Sequence, residues 1–294
     1  MPRPNPQQPL LAPPGYSGPL DCLVCGGGNR ETSDRCRSCA APLELARQAA
    51  TAKRAPHLVA VLGAASAGKT SYLGMAMDML TRRVGGLRAE PKGALSIALQ
   101  ERATTALASG VFPEKTGAAA EQWDWTACRV ECRRRRRSVD LVFADPSGDA
   151  WEEQANSPSA SPALGGLLER SAAAIVLIDA QQLRAGDHTG EFALLKLLTQ
   201  LPQRTPKRWP LALVLTKADG CSIGDSGAEA FAASHAEALL TACRTRRPDT
   251  RVFAAQVAGG AATRRISGSR GAVPLRTEPR GVVEPIGWLL ERLP

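Results

Sequence analysis

Three short stretches hold residues whose types and spacing suit chemistry on a phosphate group. The first, Gly63-Ala-Ala-Ser-Ala-Gly68-Lys69-Thr70, fits G-x-x-x-x-G-K-[ST] between an apolar run and a helix-forming run. Gly63 and Gly68 let the backbone wrap tightly, so N–H groups along Ser66, Ala67, Gly68 and Ser71 converge on phosphate oxygens. Lys69 is placed to reach the β- and γ-phosphates, and the Thr70 hydroxyl to bind Mg²⁺. The second, Asp145-Pro-Ser-Gly148-Asp149, ends an apolar run in Asp-x-x-Gly. Asp145 would hold Mg²⁺ through water, and the Gly148 N–H would reach a γ-phosphate. The third, Thr216-Lys217-Ala218-Asp219, fits [NT]-K-x-D. Its Asp219 carboxylate can accept from guanine N1–H and the N2 amine, which adenine lacks, while Lys217 lies along the base plane. A site built to bond one edge rejects the analogue strongly. Between the first two stretches, Thr116 sits in a loop, Gly110 to Thr116, where its hydroxyl and carbonyl would bind Mg²⁺ and γ-phosphate only in the triphosphate state.

Four cysteines carry a second chemistry. Cys22-x-x-Cys25 and Cys36-x-x-Cys39 are two knuckles able to set four thiolates around Zn²⁺. All four are consumed by the metal, which leaves no open position for catalysis. A redox pair would need a thioredoxin-like βαβ context, which is missing. The spacing, with Asn29 after the first knuckle, resembles small zinc ribbons. It offers no aromatics on which bases could stack, so nucleic acid is the less favoured target.

The elements that must position these residues follow from the apolar pattern. Leu58 to Leu62 predicts a buried strand, and Ser71 to Arg83 a helix ended by Gly85-Gly86. Ala94 to Ala108 predicts a further helix inserted before the next strand. Trp123 to Cys132 alternates and Val139 to Ala144 is apolar, which predicts an antiparallel pair turned at Arg133 to Arg137. That basic turn suits nucleic acid or a membrane, but a solvated hairpin turn is the preferred reading. Cys128 and Cys132 read as buried thiols. Strands are expected at Ala172 to Ala180, Pro210 to Leu215 and Arg251 to Val257, with helices at Glu191 to Leu201 and Gly227 to Cys243. Gly259 to Gly281 is expected to be a mobile loop, and Val283 to Leu293 an amphipathic helix with Trp288 inward.

Composition sets the frame. A chain of 294 residues can bury one sizeable core plus a small accessory module. The expected division is a disordered Pro-rich arm over 1–19, a zinc ribbon over 20–42, a linker over 43–56 and a nucleotide-binding domain over 57–294. The N-terminus lacks the pattern of a signal peptide, and no apolar run approaches the roughly 20 residues of a membrane span, so a cytoplasmic location is expected. A net charge of +9 would favour anionic partners. Arginine far outnumbers lysine, however, amid much Ala, Pro and Gly, which points to GC-rich bacterial coding rather than to a ligand. Cytosolic cysteines argue for metal rather than disulfides.

The ordered set Gly63 to Thr70, Thr116, Asp145 to Gly148 and Thr216 to Asp219 resembles that of translation-factor-related, TRAFAC-class P-loop GTPases. Within that class Pro113-Glu-Lys-Thr116, the helical insert before it and the terminal Pro285-Ile-Gly-Trp-Leu-Leu290 resemble the second type of bacterial double-GTPase family, over about Pro56 to Pro294. The resemblance implies an α/β fold, a P-loop NTPase with a Ras-like, mostly parallel sheet and helices on both faces. It implies GTP or GDP with Mg²⁺, catalysis through Lys69, Thr116, Gly148 and Asp149, and a protein partner met through the switch loops or the ribbon in a multi-gene signalling or conflict system. Two departures stand out. Asp149 replaces the water-orienting Gln that many relatives carry, implying slow unaided hydrolysis stimulated by a partner. The Ser-Ala base loop after the last strand is degenerate, leaving Ala255 and Gln256 in its place. A non-hydrolysing nucleotide scaffold stays open as an alternative, and so does an ATP-using enzyme, which Asp219 disfavours.

Overall fold

The computed structural model describes residues 20–52, 55–132, 137–157, 161–199, 209–247, 249–266 and 269–293. The Pro-rich arm expected at 1–19 and Arg133 to Arg136 of the basic turn lie outside these. The described chain starts with paired strands β1 (Leu20–Asp21) and β2 (Gly28–Asn29), then helix α1 (Leu43–Ala50). Strand β3 (His57–Gly63) runs through the glycine loop into α2 (Lys69–Thr81). There follow β4 (Leu87–Lys92), α3 (Gly93–Ala108), β5 (Asp124–Cys132) and β6 (Arg137–Asp145). Next come α4 (Gly148–Asn156), α5 (Pro162–Arg170), β7 (Ala173–Asp179), α6 (Ala180–Arg184) and α7 (Thr189–Thr199). Then β8 (Leu211–Thr216), α8 (Ala228–His235), α9 (Glu237–Arg246), β9 (Thr250–Ala254) and β10 (Gln256–Ala258). The chain closes with β11 (Ala261–Ile266), β12 (Ser269–Pro274), β13 (Thr277–Arg280) and α10 (Glu284–Leu290).

Seven of the strands form one sheet in the order β4-β5-β6-β3-β7-β8-β9. β6, β3, β7, β8 and β9 are parallel neighbours, and β4, β5 and β6 pair antiparallel. The parallel strands are apolar almost throughout because both faces are covered. Alternate residues of β3 show it: Leu58, Ala60 and Leu62 enter one core with α4, α5, α7 and α9, while Val59 and Val61 enter the other with α2, α3 and α10. The antiparallel pair expected at 123–144 is present, and so is the closing helix, with Trp288 buried edge-on to Phe253.

Several elements differ from the sequence expectation or were missing from it. β4 is an edge strand that carries Pro91 opposite Cys128, a place where a missing N–H is tolerated. α4 and α5 follow serine N-caps, with Ser147 Oγ accepting from Ala150 N and Ser161 Oγ from Leu164 N. The single helix expected at 227–243 is two, broken at buried Ala236, whose φ of −147° is not helical. The expected mobile loop at 259–281 contains the β11–β12 hairpin, and β13 pairs with β10. Its Gly, Arg and Ser lack the apolar alternation that marks a half-buried strand, so pairing there could not be read from the pattern.

The cysteine-bearing segment packs on the sheet's first face. Leu20, Cys22, Val24, Leu43 and Leu45 share the core that holds Leu164 and Leu167 of α5. Gly166 faces this contact: a Cβ there would lie 2.8 Å from Val24 O and 3.0 Å from Cys25 Cα. Arg170 Nε donates to Leu23 O at 3.2 Å. The stretch 43–56, expected as a linker, thus contains a packed helix. Arg47 of α1 is buried and donates to Glu31 O at 2.8 Å and to Ser33 O. α1 also packs on the start of α3, where a Cβ on Gly93 would lie 2.3 Å from both Glu44 Oε1 and Gln48 Nε2.

Candidate nucleotide site and metal centre

The glycine loop closes at Gly68, whose φ of +82° is the left-handed conformation glycine adopts without strain. Ser66 adopts a φ of +63° nearby, a strained value for a residue with a Cβ. Gly63 ends β3, and a Cβ on it would meet Leu177 O at 2.9 Å. Ala67 is buried beneath the loop, while Ser66, Gly68, Thr70 and Ser71 line a cavity of about 450 Å³. Lys69 is almost fully buried, with Nζ donating to Gly63 O at 2.9 Å and to Ala64 O at 3.2 Å. Burial lowers its pKa, against the pull of Asp145, Asp149 and Glu152.

Asp145, at the end of β6, is completely buried. Its Oδ2 accepts from Thr70 Oγ1 at 2.7 Å and from Thr116 Oγ1 at 3.2 Å, and the two hydroxyls lie 3.1 Å apart. Its Oδ1 is buried with no hydrogen-bond partner. Burial raises the Asp145 carboxyl to about 6, against the pull of Lys69. A buried carboxylate oxygen without a donor, flanked by two hydroxyls, is a hard-oxygen donor set that fits Mg²⁺. Gly148 opens α4 hard against the glycine loop, where a Cβ would come within 2.1 Å of Ala65 N. Trp151 pins the same helix to the sheet, its Nε1 donating to Val61 O at 3.0 Å. Asp149 is exposed on the cavity wall.

At the other end of the cavity, Thr216 ties β8 to the glycine loop, its Oγ1 lying 2.9 Å from Ala67 O. Lys217 takes a left-handed φ of +55°, and its Nζ pairs with Asp179 Oδ2. Asp179 is itself held: it caps α6 through Gln181 N at 2.9 Å and is buried. Asp219 lines the cavity, as do Ala255 and Gln256. Ala255 O accepts from Ala218 N at 3.2 Å, and Gln256 Nε2 donates to Glu278 O at 3.2 Å on β13. All of these motif residues therefore meet in or beneath one cavity. Two that the sequence reading passed over join them: Asp179, at the end of an apolar strand, and Asp124, between two tryptophans. The first is a pattern that could have been noticed; the second has no local signal.

The four cysteines converge as well. All four Sγ atoms lie within 4.8 Å of one another, with Cys22–Cys39 and Cys25–Cys36 each at 3.6 Å. A tetrahedron with Zn–S of about 2.3 Å sets its sulfurs about 3.8 Å apart, so the group fits. Gly27 N and Ser38 N each point at a knuckle sulfur at 3.4 Å, and Asn29 Nδ2 reaches Cys36 Sγ at 3.6 Å. These donors favour thiolate, the form a metal binds.

A glycine loop between the central parallel strand and its helix, facing a buried aspartate and a Thr-Lys-x-Asp strand end, defines the chain as a P-loop protein of the GTPase kind. Residues 57–266 match Double-GTPase 2, and the chain belongs to that family. No curated protein matches it. Among solved structures it is similar to Methanosarcina barkeri Roco2 RocCORdC bound to GDP, at 14% identity and a TM-score of 0.36, over 80% of this chain and 48% of that one. It is similar to the Saccharomyces cerevisiae Ski7 GTPase-like domain bound to GTP at 13% identity and a TM-score of 0.38, over 68% of this chain and 42% of that one. For bacterial selenocysteine-specific elongation factor EF-Sec the values are 11%, 0.36, 68% and 25%. The chain thus spans less than half the length of each. Among the described residues, no helix is long and apolar enough to cross a membrane.

Proposed function

We propose that the chain is a regulatory GTPase of the bacterial cytoplasm that binds GTP with Mg²⁺ and hydrolyses it slowly until a partner protein intervenes. The observation that carries this is the convergence of Thr70 and Thr116 on Asp145, whose second oxygen is buried without a donor. Thr70, Thr116 and Asp145 would hold Mg²⁺, whose positive charge neutralises the phosphates when bound. Gly63 to Ser71 would cradle the phosphates, Lys69 would neutralise the β- and γ-groups, and the Gly148 N–H would read the γ-phosphate. Thr216, Lys217 and Asp219 would recognise guanine, with Ala255 and Gln256 beside it. Thr116 comes from the loop before β5 and Gly148 from the first turn of α4, so loss of the γ-phosphate would release both. Catalysis in this class is mostly positioning and charge stabilisation.

Cys22, Cys25, Cys36 and Cys39 would hold Zn²⁺ in a structural role, and the ribbon or the switch loops would meet the partner, in a signalling or conflict system. A second reading, a nucleotide scaffold that never turns over, is favoured by Asp149, an exposed carboxylate on the wall of the cavity that Lys69 lines. Single-turnover hydrolysis, with GTP and GDP affinities for wild type and Thr116→Ala, separates the two. The switch reading expects tighter GTP than GDP, measurable turnover and a selective loss of GTP affinity in the variant. Equal affinities, no turnover and indifference to Thr116→Ala would leave the scaffold.

A further inference from the structure

We infer that Asp124 is a positioning residue for Thr116, and that Arg102 on α3 fixes where the Asp124 carboxylate stands. The inference rests on the reading of Thr116 as the threonine that senses the triphosphate. Asp124 opens β5 directly opposite Asp145 in the antiparallel register. Two carboxylates placed opposite each other repel, and here the partner is completely buried. Donors between and around them offset that repulsion. Thr116 Oγ1 lies 3.3 Å from Asp124 Oδ2 and 3.2 Å from Asp145 Oδ2. A hydroxyl has one proton, so Thr116 donates to one carboxylate at a time while lying within hydrogen-bond distance of both. Arg102 pairs with the same Oδ2 of Asp124. Its guanidinium neutralises the carboxylate and keeps it from approaching Asp145.

The loop before β5 is fastened at a second point, because Trp123 Nε1 donates to Ala118 O at 3.2 Å. Trp123 and Trp125 are both buried and flank Asp124. The inserted helix α3 therefore anchors the Thr116 loop through one ion pair and one hydrogen bond, Arg102 to Asp124 to Thr116. Thr116 is the member of this chain of contacts that reaches the glycine loop, its hydroxyl lying 3.1 Å from Thr70 Oγ1.

The test uses the full chain and its own tryptophan fluorescence, titrated with Mg²⁺–GDP and with Mg²⁺ plus a non-hydrolysable GTP analogue. Asp124→Ala should lower the GTP-to-GDP affinity ratio by roughly tenfold, as loss of a charge-assisted hydrogen bond would, with GDP affinity unchanged within about twofold. The difference in tryptophan emission between the two nucleotide states should shrink with it. Asp124→Asn keeps an acceptor oxygen and should recover most of the ratio, and Arg102→Ala serves as the readout of loss if the alanine variant fails to fold. Arg102→Ala should fall between Asp124→Asn and Asp124→Ala. The Asp124→Ala/Thr116→Ala double variant should be no worse than Thr116→Ala. Equal loss of GTP and GDP, or additive effects in the double variant, would overturn the inference. If Thr116→Ala lowers the ratio and neither Asp124 variant does, the inference alone fails. If Thr116→Ala has no effect, the switch reading falls and takes this inference with it.

Discussion

Asp149, near the start of α4, is exposed on the wall of the cavity that Lys69 also lines. Asp149 is shorter than a glutamine, accepts only, and adds negative charge beside the place a γ-phosphate would take. Asp149→Gln is therefore expected to leave GTP affinity similar or tighter and to raise single-turnover hydrolysis several-fold; an unchanged or lower rate would show that Asp149 does not restrain hydrolysis. On the proposed guanine reading, Asp219→Asn would turn an acceptor facing the N2 amine into a donor. The variant should lose charge-assisted bonds worth about 1.5–3 kcal/mol each with GTP and gain affinity for xanthosine triphosphate, as competition binding would measure. Unmutated protein that takes ATP as well as GTP would remove guanine selectivity altogether.

Helix α4 and the glycine loop are built to touch. Gly148 leaves no space for a methyl group beside Ala65, while Ser147 caps the helix and Trp151 bolts it to β3. Gly148→Ala must push the loop or the helix aside, because the atoms it meets are backbone. Both GTP and GDP affinity should fall by about tenfold or more, whereas denaturant unfolding of the unliganded chain should shift by about 1–3 kcal/mol; retained affinity would mean that the loop yields freely. Local signals served well for the elements around this contact. The glycine loop, α2, α3, β7 and β8 lie within a few residues of where their apolar runs and caps put them. They served poorly where the apolar pattern is short or carries no breaker. β4 carries a proline at the sheet edge, the β11–β12 hairpin is rich in Gly, Arg and Ser, and α8 and α9 read as one alanine-rich helix because neither Gly nor Pro marks the break at buried Ala236.

On the scale of the molecule, the cysteine cluster is braced rather than tethered. Leu20 and Val24 are buried with α5, Arg170 reaches Leu23 O, and α1 links the cluster to the start of α3. Burying one such side chain contributes about 1.5–3 kcal/mol, and a chain of this size shifts by about 2–4 °C per kcal/mol. Stripping zinc with a zinc-selective chelator, with Mg²⁺ in excess, should lower the Tm of the nucleotide-loaded protein by about 3–12 °C in one cooperative transition. A separate low-temperature transition with an unchanged main one would instead describe an independent module.

The sequence by itself determined the chemistry that short spacing encodes. Gly63 to Thr70, Asp145 to Gly148, Thr216 to Asp219 and the two Cys-x-x-Cys knuckles each place their atoms by local backbone geometry, so a few consecutive residues suffice to read them. Only the tertiary structure decided what depends on register and packing. Asp124 faces Asp145 because β5 pairs with β6 in that register, and a slip of one residue would turn it to the other face. Asp179 meets Lys217, Arg102 meets Asp124, and the cysteine cluster meets α5, across separations of tens to more than a hundred residues. No periodicity within a single segment carries that information, because such contacts exist only once the sheet has assembled and its two faces are covered.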